Sequence, residues 1–267
     1  MDIHFIVQFF ESHQAVLWLA TIVLDLGSAL LLYYLFGKQG LYATIVISLL
    51  LANVQGPKLT EIFGLQTSMG VILYSSIYFA TDLLSERYGK REATRAVMIG
   101  FCVSVIILLM TSVSLLYLPS TVPSTASFAQ SIHAATATLF NYSPRFVLGS
   151  LLAYLISQRV DVYVFHYIKA RTQGRHLWLR NNLSTLISQA LDTVIYGLVV
   201  WWGVVDLEVA MALALSKYFF KVLIALIDTP FIYLARNWNV KERDWVGQAN
   251  YAEAHAEGQT VRGDGPR

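Results

Sequence analysis

Seven mostly apolar stretches of roughly 20 residues follow one another along the chain, and each has about the length that a helix needs to cross a bilayer. Lipid offers no hydrogen-bond partners, so such segments must satisfy their backbone groups internally, as helices do. Only 13% of the residues are charged, against about 25% in an average soluble domain. The sequence therefore predicts an all-α, polytopic helical membrane protein. The stretches are approximately residues 15–36, 40–56, 65–85, 95–118, 146–168, 183–204 and 209–234.

The stretches divide the chain into three predicted parts. Residues 1–36 would hold an N-terminal segment with an additional transmembrane helix, and residues 37–240 a core of six transmembrane helices. Residues 241–267 are polar and rich in Ala, Glu and Gly, which is typical of a disordered tail. The long connection 119–144 contains FAQSIHAATATLF, whose helical spacing favours a helix lying flat on the membrane.

Lysine and arginine mark one side of the predicted membrane. They concentrate in the connections after the third and fifth stretches and after the last one, whereas the connections after the fourth and sixth stretches are poor in them. Cytoplasmic loops carry such an excess of positive residues. The pattern predicts an outside N-terminus and a cytoplasmic C-terminus. The marking residues are Arg87, Lys90, Arg91, Arg95, Lys169, Arg171, Arg175, Arg180, Arg236, Lys241 and Arg243.

Composition and motifs argue against several function classes. A net charge of +2, without a dense basic tract, gives no support for a nucleic-acid partner. The single cysteine, Cys102, excludes an internal disulfide and a cysteine-based metal cluster. The sequence contains no HExxH, GxSxG or Walker A motif, so we expect neither an enzyme nor a chain with its own ATPase, and no metal or cofactor. An intramembrane aspartyl protease would need two facing aspartates, whereas the midplane carboxylate here matches lysines better.

Ionisable residues at membrane depth are costly, and they usually face a cavity or a partner. Asp192 lies near the middle of the sixth stretch, and Lys217 and Lys221 lie at a similar depth in the seventh. Lys217, Lys221 and Asp228 share one helix face by their spacing. The pattern predicts a pair between Asp192 and either lysine, which would serve as a structural tie or as part of a polar substrate site near the bilayer centre.

Other polar residues have plainer explanations. Arg159 and Asp161 lie nearer the cytoplasmic surface, where they would simply extend toward water. Asp25 would be a proton carrier or a protonated carboxyl bonded to a neighbouring helix. In FATDLLSERYGK, Glu86 and Lys90 have the i, i+4 spacing of a helical ion pair, and Asp82 lies about one turn deeper.

Five blocks of sequence resemble, in collinear order, the bacterial queuosine-precursor transporter family, also called the vitamin-uptake-transporter family. The resemblance covers about residues 40–240. That family is typically described with six spans, so the first stretch and Asp25 lie outside it. The blocks are ANVQGPK, FATDLLSERYGKREATRAV, SLLAYLISQRVDVYVFHYIK, WLRNNLSTLISQALDTVIYG and KYFFKVLIALIDTPFIYL.

The resemblance implies import of 7-deazaguanines, the 7-cyano and 7-aminomethyl precursors of queuosine, across the bacterial inner membrane. The guanine-like edge of such a ligand donates to carboxylates, and its carbonyl accepts from Lys, Asn or Gln. Aromatic rings would stack on the base; the candidates are Trp201, Trp202, Tyr74, Tyr78 and Phe79. The candidate substrate-binding residues are Asn53, Gln55, Tyr78, Asp82, Gln189, Asp192, Lys217, Lys221 and Asp228.

A substrate-capture subunit of the energy-coupling-factor type is the alternative function. Such a chain would bind the ligand and depend on a separate ATPase module. Small-residue spacing of the docking kind is weak here, at Ala93 to Ala96 and near Ala210. The expected partners are the 7-deazaguanine and the lipid bilayer, and a homodimer is compatible with the sequence.

Overall fold

The computed structural model describes residues 3–56, 58–140, 144–203 and 206–238, and the described chain is almost entirely helical. A short β-hairpin joins α3 to α4, and a π-helical turn continues α8 over Gly197–Trp201. The strands are β1 Leu59–Ile62 and β2 Leu65–Ser68. The helices are α1 Ile3–Ser12, α2 Gln14–Phe36, α3 Lys38–Gln55, α4 Met69–Arg87, α5 Lys90–Ser114, α6 Ala126–Phe140, α7 Pro144–Arg171, α8 Leu177–Tyr196 and α9 Leu207–Arg236.

Each of the seven apolar stretches corresponds to a long helix, namely α2 to α5 and α7 to α9. Four of them, α2, α5, α8 with its π-helical turn and α9, are long and apolar enough to cross a membrane. The all-α membrane fold is thus confirmed. Crossing by α3, α4 and α7, and with it the total of seven spans, stays a prediction.

Two of the predicted boundaries were wrong. Residues 65–68 are not the start of a helix but strand β2, which pairs antiparallel with β1 in the register Leu59 with Ser68 and Ile62 with Leu65. The hairpin turns at Phe63 and Gly64, which both have positive φ. The helix begins only after Ser68, whose side chain accepts a hydrogen bond from the Gly70 amide as an N-cap. Helix α8 begins at residue 177, earlier than the predicted 183, because Arg180, Asn181 and Asn182 are polar residues that are buried in its first two turns.

Helix α4 occupies the centre of the bundle. It packs against α2, α3, α5, α7 and α9, and 15 of its 19 residues are buried. The additional helix α2 packs against α3, α4 and α9 through one face that includes Ile22 and Leu26. Its other face exposes Leu24 and Leu31, as expected of a helix in contact with lipid.

The helices alternate in direction, which gives the bundle two distinct ends. Arg87, Lys169, Arg180 and Arg236 gather at one end, which we call the basic end. The β-hairpin lies at the other, the hairpin end, where the Ser216 hydroxyl of α9 donates to the Gln66 carbonyl. Helix α6 lies within the long connection and has no buried residue; its position on the membrane surface stays a prediction. The predicted tail at 241–267 lies outside the described residues.

Candidate functional site

A cavity of about 150 Å³ lies between α3, α4, α7, α8 and α9. Gly56 and Ser68 line it, so it adjoins the hairpin end of the bundle. Its wall combines small residues with polar and aromatic groups, a composition typical of small-molecule sites. The polar and aromatic lining residues are Asn53, Ser68, Tyr74, Ser150, Asp192, Thr193, Tyr196, Lys217 and Lys221.

An ion pair joins α8 to α9 in the cavity wall. The Lys221 ammonium donates a hydrogen bond to Asp192 Oδ2. Ser157 Oγ of α7 lies 3.5 Å from Asp192 Oδ1, as a donor to it. The side chains of Lys221 and Asp192 remain 11% and 18% exposed, so both groups still reach the cavity. Of the two predicted pairs, the one with Lys221 is therefore the one that forms.

Lys217 lies one turn before Lys221 and also lines the cavity. Its ammonium stands 4.8 Å from the centroid of the Tyr196 ring, which is cation–π geometry. Within the described chain, no carboxylate oxygen lies within 4.0 Å of this ammonium. Lys217 is thus a cavity cation held by a ring rather than by an acid.

The remaining predicted site residues lie in different places. Tyr78, Gln189 and Asp228 line a smaller cavity of about 10 Å³, which shares Tyr74 and Lys221 with the larger one. Asn53 lines the larger cavity. Asp82 and Gln55 line neither of these two cavities. Asp82 is fully buried, and Gln55 is the last residue of α3.

Buried carboxyl groups occupy the layer between the cavity and the basic end. Asp82 accepts from Thr185 Oγ1 at 3.4 Å. Asp161 accepts from Ser188 Oγ at 3.0 Å and is fully buried, so the expectation that it extends to water was wrong. Helix α7 turns this residue inward, because Asp161 is two positions from Arg159 and faces the opposite way.

Two further acids are held by neutral donors. Asp228 accepts from the Asn181 side chain at 3.0 Å. Asp25 accepts from Ser75 Oγ at 2.9 Å and from the Ser76 amide at 3.3 Å, which is the expected bond to a neighbouring helix. Both acids therefore have structural partners away from the larger cavity.

Of the aromatic candidates, Tyr74 lines the larger cavity and Tyr78 the smaller one. Phe79 belongs to the core and Trp202 is exposed, whereas the side chain of Trp201 lies outside the described ones. Sequence reasoning missed Tyr196. Its position four residues after Asp192 puts both on one face of α8, and that spacing could have revealed it.

Glu86 at the basic end binds three cations from three other helices. Its carboxylate lies 2.7 Å from Arg180, 2.9 Å from Lys169 and 3.3 Å from Arg236. The expected Glu86 pair with Lys90 was wrong, because the chain turns at Gly89 and Lys90 begins the next helix. Burial by itself would raise the pKa of the Glu86 carboxyl, but hydrogen bonds and charge from Arg180 and Lys169 lower it below its ordinary value.

The family model described as putative vitamin uptake transporter matches residues 68–235. The chain is 37% identical over 220 residues to a probable queuosine precursor transporter of Bacillus subtilis (strain 168), which covers 82% of this chain and 93% of the relative. It is 32% identical over 173 residues to a queuosine precursor transporter of Escherichia coli (strain K12), covering 62% of this chain and 71% of the relative. No solved structure matches the chain significantly.

A helical membrane bundle around a polar cavity, with these relatives, defines a multi-pass membrane transporter of a small molecule. The chain belongs to the putative vitamin uptake transporter family.

Proposed function

We propose that this chain imports queuosine precursors, 7-cyano-7-deazaguanine or 7-aminomethyl-7-deazaguanine, across the bacterial inner membrane. The names of the two relatives support the substrate class. The observation that carries the proposal is the Asp192–Lys221 pair in the wall of a cavity between helices of the family-matching region. The substrate sites of transporters commonly lie near the bilayer midplane, between helices.

The cavity offers complementary groups for a flat, guanine-like base. The Asp192 carboxylate would accept from the N–H groups of its donor edge, and Lys221 or Asn53 would donate to its carbonyl. Tyr74 and Tyr196 line the same space and would stack on the ring. Gln189, Tyr78 and Asp228 would act from the smaller adjoining cavity.

The proposed orientation places the hairpin end outside the cell and the basic end in the cytoplasm. The excess of lysine and arginine at the basic end supports it, because cytoplasmic ends of membrane proteins carry this excess. A substrate would then enter the cavity beside Gly56 and Ser68.

Uptake by living cells tests the function directly. The chain would be expressed alone in bacteria that lack both precursor synthesis and their own importer, with a low concentration of either precursor in the medium. We expect queuosine to appear in tRNA, and we expect the Asp192→Asn variant to abolish most of this rescue at equal expression.

Two outcomes would contradict autonomous import. One is an absence of queuosine with either precursor, although the protein is present in the membrane. The other is rescue that appears only when an ATPase module is co-expressed, which would indicate a capture subunit instead. Asp25→Asn is the matched control, because Asp25 is also a carboxyl at membrane depth but lines neither cavity and accepts its hydrogen bond from Ser75 of α4.

A further inference from the structure

The charges that line the larger cavity are unequal in number. Among its described lining residues, the ionisable acid is Asp192, whereas Lys217 and Lys221 are cations. Lys221 already forms the ion pair with Asp192. The cavity wall therefore carries one ammonium in excess, and that ammonium belongs to Lys217.

The other described acids near this region lie outside the lining of the larger cavity. Asp228 faces the smaller cavity and accepts from Asn181, and Asp25 accepts from Ser75 on α4. The Tyr196 ring stabilises the Lys217 ammonium by its quadrupole but brings no negative charge. A ligand in the cavity consequently meets a positive wall, in surroundings that screen charge less than bulk water does.

The two candidate precursors differ in charge at the same position of the ring. The 7-aminomethyl group is a primary alkylamine, and such amines are protonated at neutral pH, as lysine is. The 7-cyano group is neutral, and its nitrogen can accept a hydrogen bond from an ammonium. The first would add a second unpaired cation to the cavity, whereas the second would give the Lys217 ammonium an acceptor.

We propose that the cavity selects the uncharged 7-cyano precursor over the cationic 7-aminomethyl precursor, and that Lys217 is the residue that determines this preference. The inference rests on the proposed function, because it assumes a 7-deazaguanine in this cavity. Like charges a few ångströms apart in a partly desolvated site are expected to change affinity by roughly tenfold to a hundredfold.

Competition binding on the purified, detergent-solubilised full chain tests the preference. Radiolabelled 7-cyano-7-deazaguanine is displaced by each unlabelled precursor and by 7-methyl-7-deazaguanine, which is neutral and similar in size to the aminomethyl compound. We expect the aminomethyl compound to bind at least about tenfold more weakly than both neutral compounds. Equal affinity, or tighter binding of the aminomethyl compound, would overturn the inference.

Variants then assign the preference to one residue. Lys217→Met should reduce the ratio between aminomethyl and methyl compounds to about threefold or less, and Lys217→Arg should preserve it. Lys90→Met is the charge-matched control, because Lys90 stands over Tyr163, outside the cavity lining, and should leave the ratio unchanged. A ratio that survives Lys217→Met would also overturn the assignment. If wild-type protein bound none of the three compounds, the proposed function itself would fail.

Discussion

The bundle contains two clusters of ion-paired side chains, one at the basic end and one in the cavity, and they differ in how many of their cations bind an acid. At the basic end, the Glu86 carboxylate is 6% exposed and binds Lys169, Arg180 and Arg236 at once. In the cavity, Asp192 binds Lys221, and Lys217 stays without an acid among the described residues. The first cluster joins α4, α7, α8 and α9 into one end of the bundle. The second leaves a cation and open space, which is what a ligand site requires.

The largest expected effect is on the basic end. Glu86→Gln would leave Arg180, whose side chain is fully buried, without its carboxylate. Removal of one partner from a buried ion pair typically costs about 3–5 kcal/mol. We expect the free energy of unfolding in detergent to fall by about this amount. Denaturant unfolding followed by circular dichroism measures it.

Glu92→Gln is the matched control for this prediction, because Glu92 pairs with exposed Arg95 and partly exposed Lys38 and should cost less than about 1 kcal/mol. The wild type should also lose stability at low pH as Glu86 becomes protonated. The folded state lowers the pKa of Glu86, so its stabilisation is complete above the ordinary value of 4.5 and disappears as pH falls through the lowered pKa. If Glu86→Gln were as stable as the wild type, the Glu86 cluster would not hold the helices together.

The second prediction concerns the cavity pair. Asp192→Asn keeps the shape of the side chain but removes the negative charge that binds Lys221 and that would bind the proposed ligand. Loss of a hydrogen bond to a charged group costs about 1.5–3 kcal/mol, so precursor binding should weaken by about tenfold to a hundredfold. Equilibrium binding of labelled precursor measures this. Affinity that survived both Asp192→Asn and Lys221→Met would exclude the cavity as the binding site.

The smallest expected effect is the loss of unfolding free energy when one cation of the Glu86 cluster is removed. Lys169→Met removes one of the three Glu86 partners, and the Lys169 side chain is 30% exposed. Arg180 and Arg236 remain, and exposed ion pairs contribute about 0–1 kcal/mol. We therefore expect a loss below about 1 kcal/mol in the same unfolding measurement. A loss as large as that of Glu86→Gln would show that the three cations act as one unit.

The sequence predicted the helices well, because the length of each apolar stretch is enough to indicate a membrane helix. The hairpin at 59–68 gave no such signal, since residues 65–68 read as the start of a helix and the residues before them as a connection. The cavity pair was predictable, because Asp192 and Lys221 are both costly at membrane depth and match in charge. The partners of Glu86 were not, because Arg180 and Arg236 are 94 and 150 residues away along the chain. The inward position of Asp161 depends on helix rotation, which its polar neighbours in sequence do not reveal.

Helix α4 shows how a helix of lower hydropathy can form the centre of a membrane bundle. Its neighbours shield it, so the bilayer does not select the character of its side chains. Ser75, Ser76, Thr81 and Ser85 can therefore lie in the middle of a membrane protein, as they would in the interior of a water-soluble one. Substitutions in this helix should consequently be judged by volume and hydrogen bonding, and those on the outer face of α2 by affinity for lipid. The substitutions that one chain tolerates thus differ between its helices, because some helices are surrounded by protein and others by lipid.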